Sequence, residues 1–305
     1  MRIAILGGGS VGGYFGARLA ATGADVSFIA RGAHLDALRT RGLRLESPKG
    51  DLHLPRVNAT NDPASIGPVD IVFFTVKLYD SEAAARLLPP LLGPDTAVIS
   101  FQNGVDSIDV LTRAVGRGHV AGGTVYVAAV VAEPGVIRHT AADRLIFGEL
   151  DGLRSPRLER LLDACQPAGF QATLSDHIEV DIWTKFIHLS VFSGMTAVTR
   201  LPVGPVCADP DLFAMWQAAV METMAVARAK GVALAPGLLD GIVKTVQGLP
   251  PQMRSSMLDD LERGKPLELP WLSGAVVRMG EEVGVETPIH RFIVTVLTPH
   301  VHGVN

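Results

Sequence analysis

Three groups of residues have types and spacings that could do chemistry. At the amino end, MRIAILGGGSVGGYF sets Gly7, Gly9 and Gly12 in a GxGxxG pattern directly behind a short apolar run. The first glycine permits a tight turn, the second lets backbone approach a pyrophosphate, and the third lets helix and strand pack closely. The backbone N–H groups around Gly7, Gly9, Ser10, Val11 and Gly12 then open a helix, whose N-terminus suits an anion. Inside a βαβ unit this is a dinucleotide fingerprint; without a ligand it is only a glycine-rich turn. The second apolar run ends FIAR, so Arg31 stands where an NAD-binding chain carries Asp or Glu for the ribose hydroxyls. A guanidinium suits a 2′-phosphate instead, which points to NADP (NADPH), although a solvated charge at a loop start would read the same way. Lys77 ends IVFFTVK and either assists at that phosphate, faces the ribose, or is an exposed strand-end lysine.

The second and third groups lie further along the chain. Asn103, in SFQNGVD, follows a strand whose carboxyl end should face a ligand crevice, but an Asn–Gly turn also forms for local reasons. IWTKFIHLSVFSG sets Lys185 among Trp183, Phe186, Ile187 and Leu189. Burial disfavours an ammonium, so such a lysine either snorkels to water or is held for use. SSMLDDLERGKPLELPWLSG contributes Ser255, Ser256, Asp260 and Glu268. A lysine paired with a glutamate in a cleft is a proton donor kept in its charged form.

Elements to position these groups are legible. RIAIL, DVSFIA, DIVFFTV, TAVISF and VAGGTVYVAAVVA read as buried strands, with helices over SVGGYFGARLAATG, GAHLDALRTR, 81–88 and 105–115. GLRLES and DLHLP alternate around SPKG as a hairpin, and VIRHT and RLIFGEL look antiparallel. Strands separated by helices imply an α/β fold with a Rossmann-type, mainly parallel sheet and a mixed edge. LDACQPAGFQATLSD closes this part as a last helix–strand unit. Beyond it, WTKFIHLSVFSGMTAVT, LFAMWQAAVMETMAVARAKG and LSGAVVRMGEEVG carry helical periodicity. The expectation is an NADP-binding domain over 1–175 and an all-helical substrate and catalytic domain over 176–305.

Composition narrows the function classes. The chain has 305 residues, room for two domains, and its 48% hydrophobic and 19% charged residues are those of an ordinary globular protein. A net charge of −4 without any basic run argues against nucleic acid as a partner. Cys165 and Cys207 have no CxxC spacing and read as free buried thiols in a reducing compartment, without a zinc site. No apolar stretch approaches the ~20 residues of a membrane helix. With no signal segment at Met1, a soluble cytoplasmic protein is expected. Met215, Trp216, Val220 and Met224 form an apolar stripe that serves either the core or a homodimer contact.

Taken together, the GxGxxG, the Arg after the second strand, the TVK strand end, the QNG turn, the WxK helix start and SSMLxD followed by a Glu resemble the ketopantoate reductase (2-dehydropantoate 2-reductase) family over essentially the whole chain. The resemblance implies that Lys185 protonates the nascent alkoxide and that Glu268 binds substrate and supports the lysine. It implies that Asn103 lies near nicotinamide and substrate, and that Ser256 contacts the substrate carboxylate. The family pattern has asparagines four and eight residues after the lysine, where this chain has Leu189 and Ser193. Ser193 is therefore expected in the substrate site as a smaller polar group. Pro270, Ser273 and Met253 also replace polar family positions. His188 either supplies a replacement polar group or is a helix-face histidine with a local partner.

Three readings follow. The first is an NADPH-dependent reductase of a 2-oxo acid, with ketopantoate leading. The second is the same reaction on a bulkier or more apolar 2-oxo acid, as in the related D-2-hydroxyacid dehydrogenases, motivated by Leu189 and Pro270. The third is an NADPH-binding sensor without turnover.

Overall fold

The computed structural model describes residues 1–303. It opens with strand β1 (Arg2–Leu6), helix α1 (Ser10–Ala21), strand β2 (Asp25–Ile29) and helix α2 (Gly32–Arg41). Four short strands follow, β3 (Leu43–Glu46), β4 (Leu52–Leu54), β5 (Asn58–Thr60) and β6 (Val69–Phe74). Then come α3 (Ser81–Ala85), β7 (Leu92–Ser100) and α4 (Ser107–Val115). Two long strands, β8 (Val120–Glu133) and β9 (Val136–Glu149), precede α5 (Pro156–Cys165) and β10 (Gln171–Leu174). All ten strands share one sheet in the order β4-β3-β9-β8-β7-β6-β1-β2-β5, with β10 also on β9. The pairs from β5 across to β8 are parallel, whereas β8–β9 and β3–β4 are antiparallel. This is the Rossmann-type sheet with a mixed edge that alternating strand and helix signals imply. Ile3, Ile5, Phe28, Phe73 and Ile99 pack on one face with Tyr14 and Phe15 of α1, and Ala4, Leu6, Val72, Phe74 and Val98 pack on the other with Leu88 and Leu111. Strands buried on both faces read as continuous apolar runs, which is why they are legible.

The mixed edge differs from its sequence reading. VIRHT and RLIFGEL are not two strands facing each other but one strand, β9, whose antiparallel partner is β8. The break read between them is a register shift near Ala142, a non-glycine residue at φ 51°. β8 is buried only as far as Val125; Val130 and Val131 are 51% and 42% exposed. The helix expected over 81–88 ends at Ala85, four residues ahead of Pro89.

From Ile178 the described chain is helical: α6 (Ile178–Thr199), α7 (Val203–Ala208), α8 (Pro210–Ala229), α9 (Leu238–Gln247), α10 (Ser256–Glu262), α11 (Ser273–Val283) and α12 (Pro288–Leu297). Met195, Trp216, Val220, Met224, Val276 and Ile293 are buried among these helices. The α8 stripe is thereby resolved: Trp216, Val220 and Met224 are core, and only Met215 is exposed. Cys165 is buried and Cys207 half-buried, both as free thiols. By contact density the chain forms two compact units. One holds Met1–Gln102 with Ser107–Asp181, and the other joins Asn103–Asp106 to the chain from Ile182 onward. No helix among the described residues is long and apolar enough to cross a membrane.

Candidate active site

In the first unit the glycine turn has the geometry its spacing demands. Gly7 has φ +105°, and a Cβ there would lie 2.7 Å from the carbonyl carbon of Thr75. A Cβ on Gly12 would sit 2.4 Å from the Gly7 carbonyl oxygen and 2.5 Å from Thr75 Oγ1. Gly9 differs: a Cβ there would meet nothing within 4 Å. The turn is tied from outside, because Thr75 Oγ1 donates to the Gly7 carbonyl at 2.9 Å. Helix α1 starts at Ser10 with no side-chain cap and no acidic residue in its first turn. The first N–H groups of a helix have no acceptor within it, so Ser10, Val11 and Gly12 offer donors at its positive end. Arg31 follows β2, its side chain 81% exposed and paired with Asp80 at 2.5 Å. Lys77 is exposed just after β6. An open glycine, an uncapped helix N-terminus and a guanidinium beyond the next strand fit a phosphorylated dinucleotide.

In the second unit Asn103, Lys185 and Glu268 come together. Lys185 lies in the second turn of α6, and its Nζ donates to Asn103 Oδ1 at 3.0 Å. Asn103 Nδ2 in turn reaches Glu268 Oε2 at 3.5 Å, the long limit of a hydrogen bond. Glu268 is buried, 7% exposed, immediately ahead of the short turn Leu269–Trp271. The segment carrying Asn103 is fixed by Gly104 at φ +82° and by an ion pair from Arg278 on α11 to Asp106 at 2.6 Å. Burial draws the Lys185 ammonium down to about 8, opposed by the negative charge of Glu268. The amide of Asn103 thus accepts from the lysine and donates toward the carboxylate. That arrangement can hold a proton on nitrogen close to neutral pH and give it up.

The other two expected substrate residues have different surroundings. Ser193 is buried at 1% exposure, and its Oγ has no hydrogen-bond partner among the described residues. Ser256 is exposed at the first position of α10, while its neighbour Ser255 is buried, accepts from the Leu258 N–H and bonds Thr196. Three supporting residues were not singled out from sequence: Thr75 behind the glycine turn, Asp80 beside Arg31, and Gln102. The Gln102 amide donates to the Val76 carbonyl and to Ser81 Oγ, both at 2.8 Å. Thr75 and Gln102 lie inside the TVK and QNG stretches, so the signal was present; Asp80 had none.

Comparison with known proteins covers both units. The family model described as ketopantoate reductase PanE/ApbA matches residues 3–152, and its C-terminal counterpart matches residues 177–300. A 2-dehydropantoate 2-reductase of Mesorhizobium japonicum is 34% identical over 309 aligned positions, covering 94% of each chain. One from Archaeoglobus fulgidus is 32% identical, covering 97% of this chain and 96% of its own. Among solved structures, a PanE/ApbA family ketopantoate reductase from Ralstonia eutropha JMP134 superposes with a TM-score of 0.89 at 33% identity, covering 99% of this chain and 100% of that one.

Proposed function

Because the chain belongs to the ketopantoate reductase family of oxidoreductases, we propose that it reduces a 2-oxo acid to the 2-hydroxy acid with NADPH, ketopantoate being the first substrate to test. The observation that carries this reading is the Lys185–Asn103–Glu268 cluster, a lysine drawn down to about 8 and hydrogen-bonded to an amide that reaches a buried carboxylate. When bound, the reduced nicotinamide supplies a hydride to the keto carbon. Lys185 supplies the proton to the oxygen of that carbon, so the carbonyl becomes a hydroxyl and the lysine is left neutral. Asn103 aims the ammonium, and the charge of Glu268 favours the protonated lysine against the cost of burial. Gly7, Gly9, Ser10, Val11 and Gly12 are assigned to the pyrophosphate, Arg31 to the 2′-phosphate and Lys77 to the same phosphate or the ribose. The division of labour assigns the cofactor to 1–175 and the substrate to 176–305.

A second substrate reading rests on Leu189. It lies one helical turn beyond Lys185, on the same face of α6 and half-buried. An apolar group beside the proton donor favours a 2-oxo acid with a hydrocarbon side chain. The test of the shared chemistry is Lys185→Ala. Turnover should fall by about 10²–10⁴-fold, the usual worth of a general acid, while NADPH affinity stays within twofold. Near-normal turnover would remove Lys185 from the role.

A further inference from the structure

Among the buried polar atoms that find no partner in the described residues are Nδ1 of His188 and Nε1 of Trp216. His188 lies three residues after Lys185 on α6, so the two side chains emerge from neighbouring positions of one helix face. The imidazole is stacked on Phe192, with ring centroids 5.7 Å apart and planes at 16°, and meets Trp216 of α8 edge-on at 6.3 Å. Two aromatic contacts fix the ring's orientation. They also fix which nitrogen is available: Nδ1 is buried, whereas Nε2 is not buried and has no partner among the described residues. Burial draws the imidazole down to about 4, so it is neutral at physiological pH and carries one proton. An N–H buried without an acceptor is rarer than an unsatisfied acceptor, and the neighbouring buried group, Trp216 Nε1–H, is itself a donor. The proton therefore belongs on Nε2. A ring held by two aromatic contacts presents one N–H donor within a turn of the proposed proton donor, and no described residue accepts from it.

We infer that His188 is a specificity-determining residue, whose Nε2–H donates to an acceptor oxygen of the substrate other than the keto oxygen. That acceptor is the carboxylate or a side-chain hydroxyl. The inference rests on the proposed 2-oxo acid reduction. His188 is not a catalytic acid, since a neutral imidazole does not release its remaining N–H proton near neutral pH, and Lys185 serves the keto oxygen.

The test compares wild type, His188→Phe and His188→Gln at saturating NADPH. Phenylalanine keeps the stack and loses the donor; glutamine restores an N–H near the Nε2 position. Two acids are offered, ketopantoate and 3,3-dimethyl-2-oxobutanoate, which has the same carbon skeleton without the hydroxyl. His188→Phe should raise KM about tenfold or more with kcat within threefold, and His188→Gln should recover part of the loss. A rise for both acids assigns the carboxylate; a rise for ketopantoate alone assigns the hydroxyl. Unchanged KM for both acids, or a loss confined to kcat, overturns the inference. The ring nitrogens of His188 are followed by ¹⁵N NMR on the NADP-bound wild type during titration with each acid. A neutral Nε2–H tautomer that shifts with added acid supports the inference, and an Nδ1–H tautomer or an unmoved ring overturns it. Wild-type protein that oxidises no NADPH with any 2-oxo acid would instead sink the reaction itself, a separate failure.

Discussion

Lys185 carries the sharpest expectation at the scale of single residues. The protonated form is the donor, and burial draws its ammonium down to about 8, with Glu268 opposing. Reduction should therefore run at a plateau below about pH 7 and decline as pH rises through about 8, because the ammonium is lost there. A kcat/KM profile flat to pH 10 would mean that another group donates. Arg31 makes a different prediction. Its guanidinium, 81% exposed, is paired with Asp80, an anionic neighbour it can exchange for a phosphate. Arg31→Asp should weaken NADPH by well over tenfold and NADH by less than threefold in equilibrium titrations; equal losses would separate Arg31 from the 2′-phosphate. These residues were legible because each combines an unusual type with a strand or helix end. Asp80 and the buried state of Ser193 were not, since a surface aspartate and a mid-helix serine look the same in sequence whatever surrounds them.

Elements decide how those residues are presented. The turn between β1 and α1 separates two roles for glycine that the GxGxxG pattern merges. At Gly12 an added methyl would overlap the Gly7 carbonyl and Thr75, whereas at Gly9 it would meet nothing. Gly12→Ala should overpack the turn by about 1–3 kcal/mol and lower Tm accordingly. Gly9→Ala should leave Tm within about 2 °C and weaken NADPH about tenfold, because the methyl occupies the open approach to a pyrophosphate. Calorimetry and cofactor titration on the two variants read these outcomes, and equal Tm losses would contradict the distinction. The parallel strands β1, β2, β6, β7 and β8 and the helices α1, α2, α6, α8 and α11 were legible from their pattern, whereas β5, three residues paired with β2, was not. The far half of β8 misled, because VYVAAVVA is apolar throughout although Val130 and Val131 face out. The short α10, of seven residues, and α9, with Gly241 at its fourth position, carry too little pattern to announce themselves.

For the whole molecule, the sequence divides its chemistry between a sheet unit and a helical one, with Asn103 an exception. It follows strand β7 in the chain, yet Asn103–Asp106 clusters with the helical residues, through contacts to Lys185, Glu268 and Arg278. Sequence order alone hides that, because a boundary drawn near residue 175 cannot return four residues from an earlier loop. The family relation extends over both units, so the account predicts a working reductase rather than a cofactor-binding remnant. The direct measurement is NADPH absorbance at 340 nm with the purified protein, a panel of 2-oxo acids that includes ketopantoate, and the Lys185→Ala variant alongside. The account predicts NADPH oxidation with at least one of these acids, stoichiometric with 2-hydroxy acid formed, and its collapse in Lys185→Ala. Tight NADPH binding with no turnover on any 2-oxo acid would contradict it.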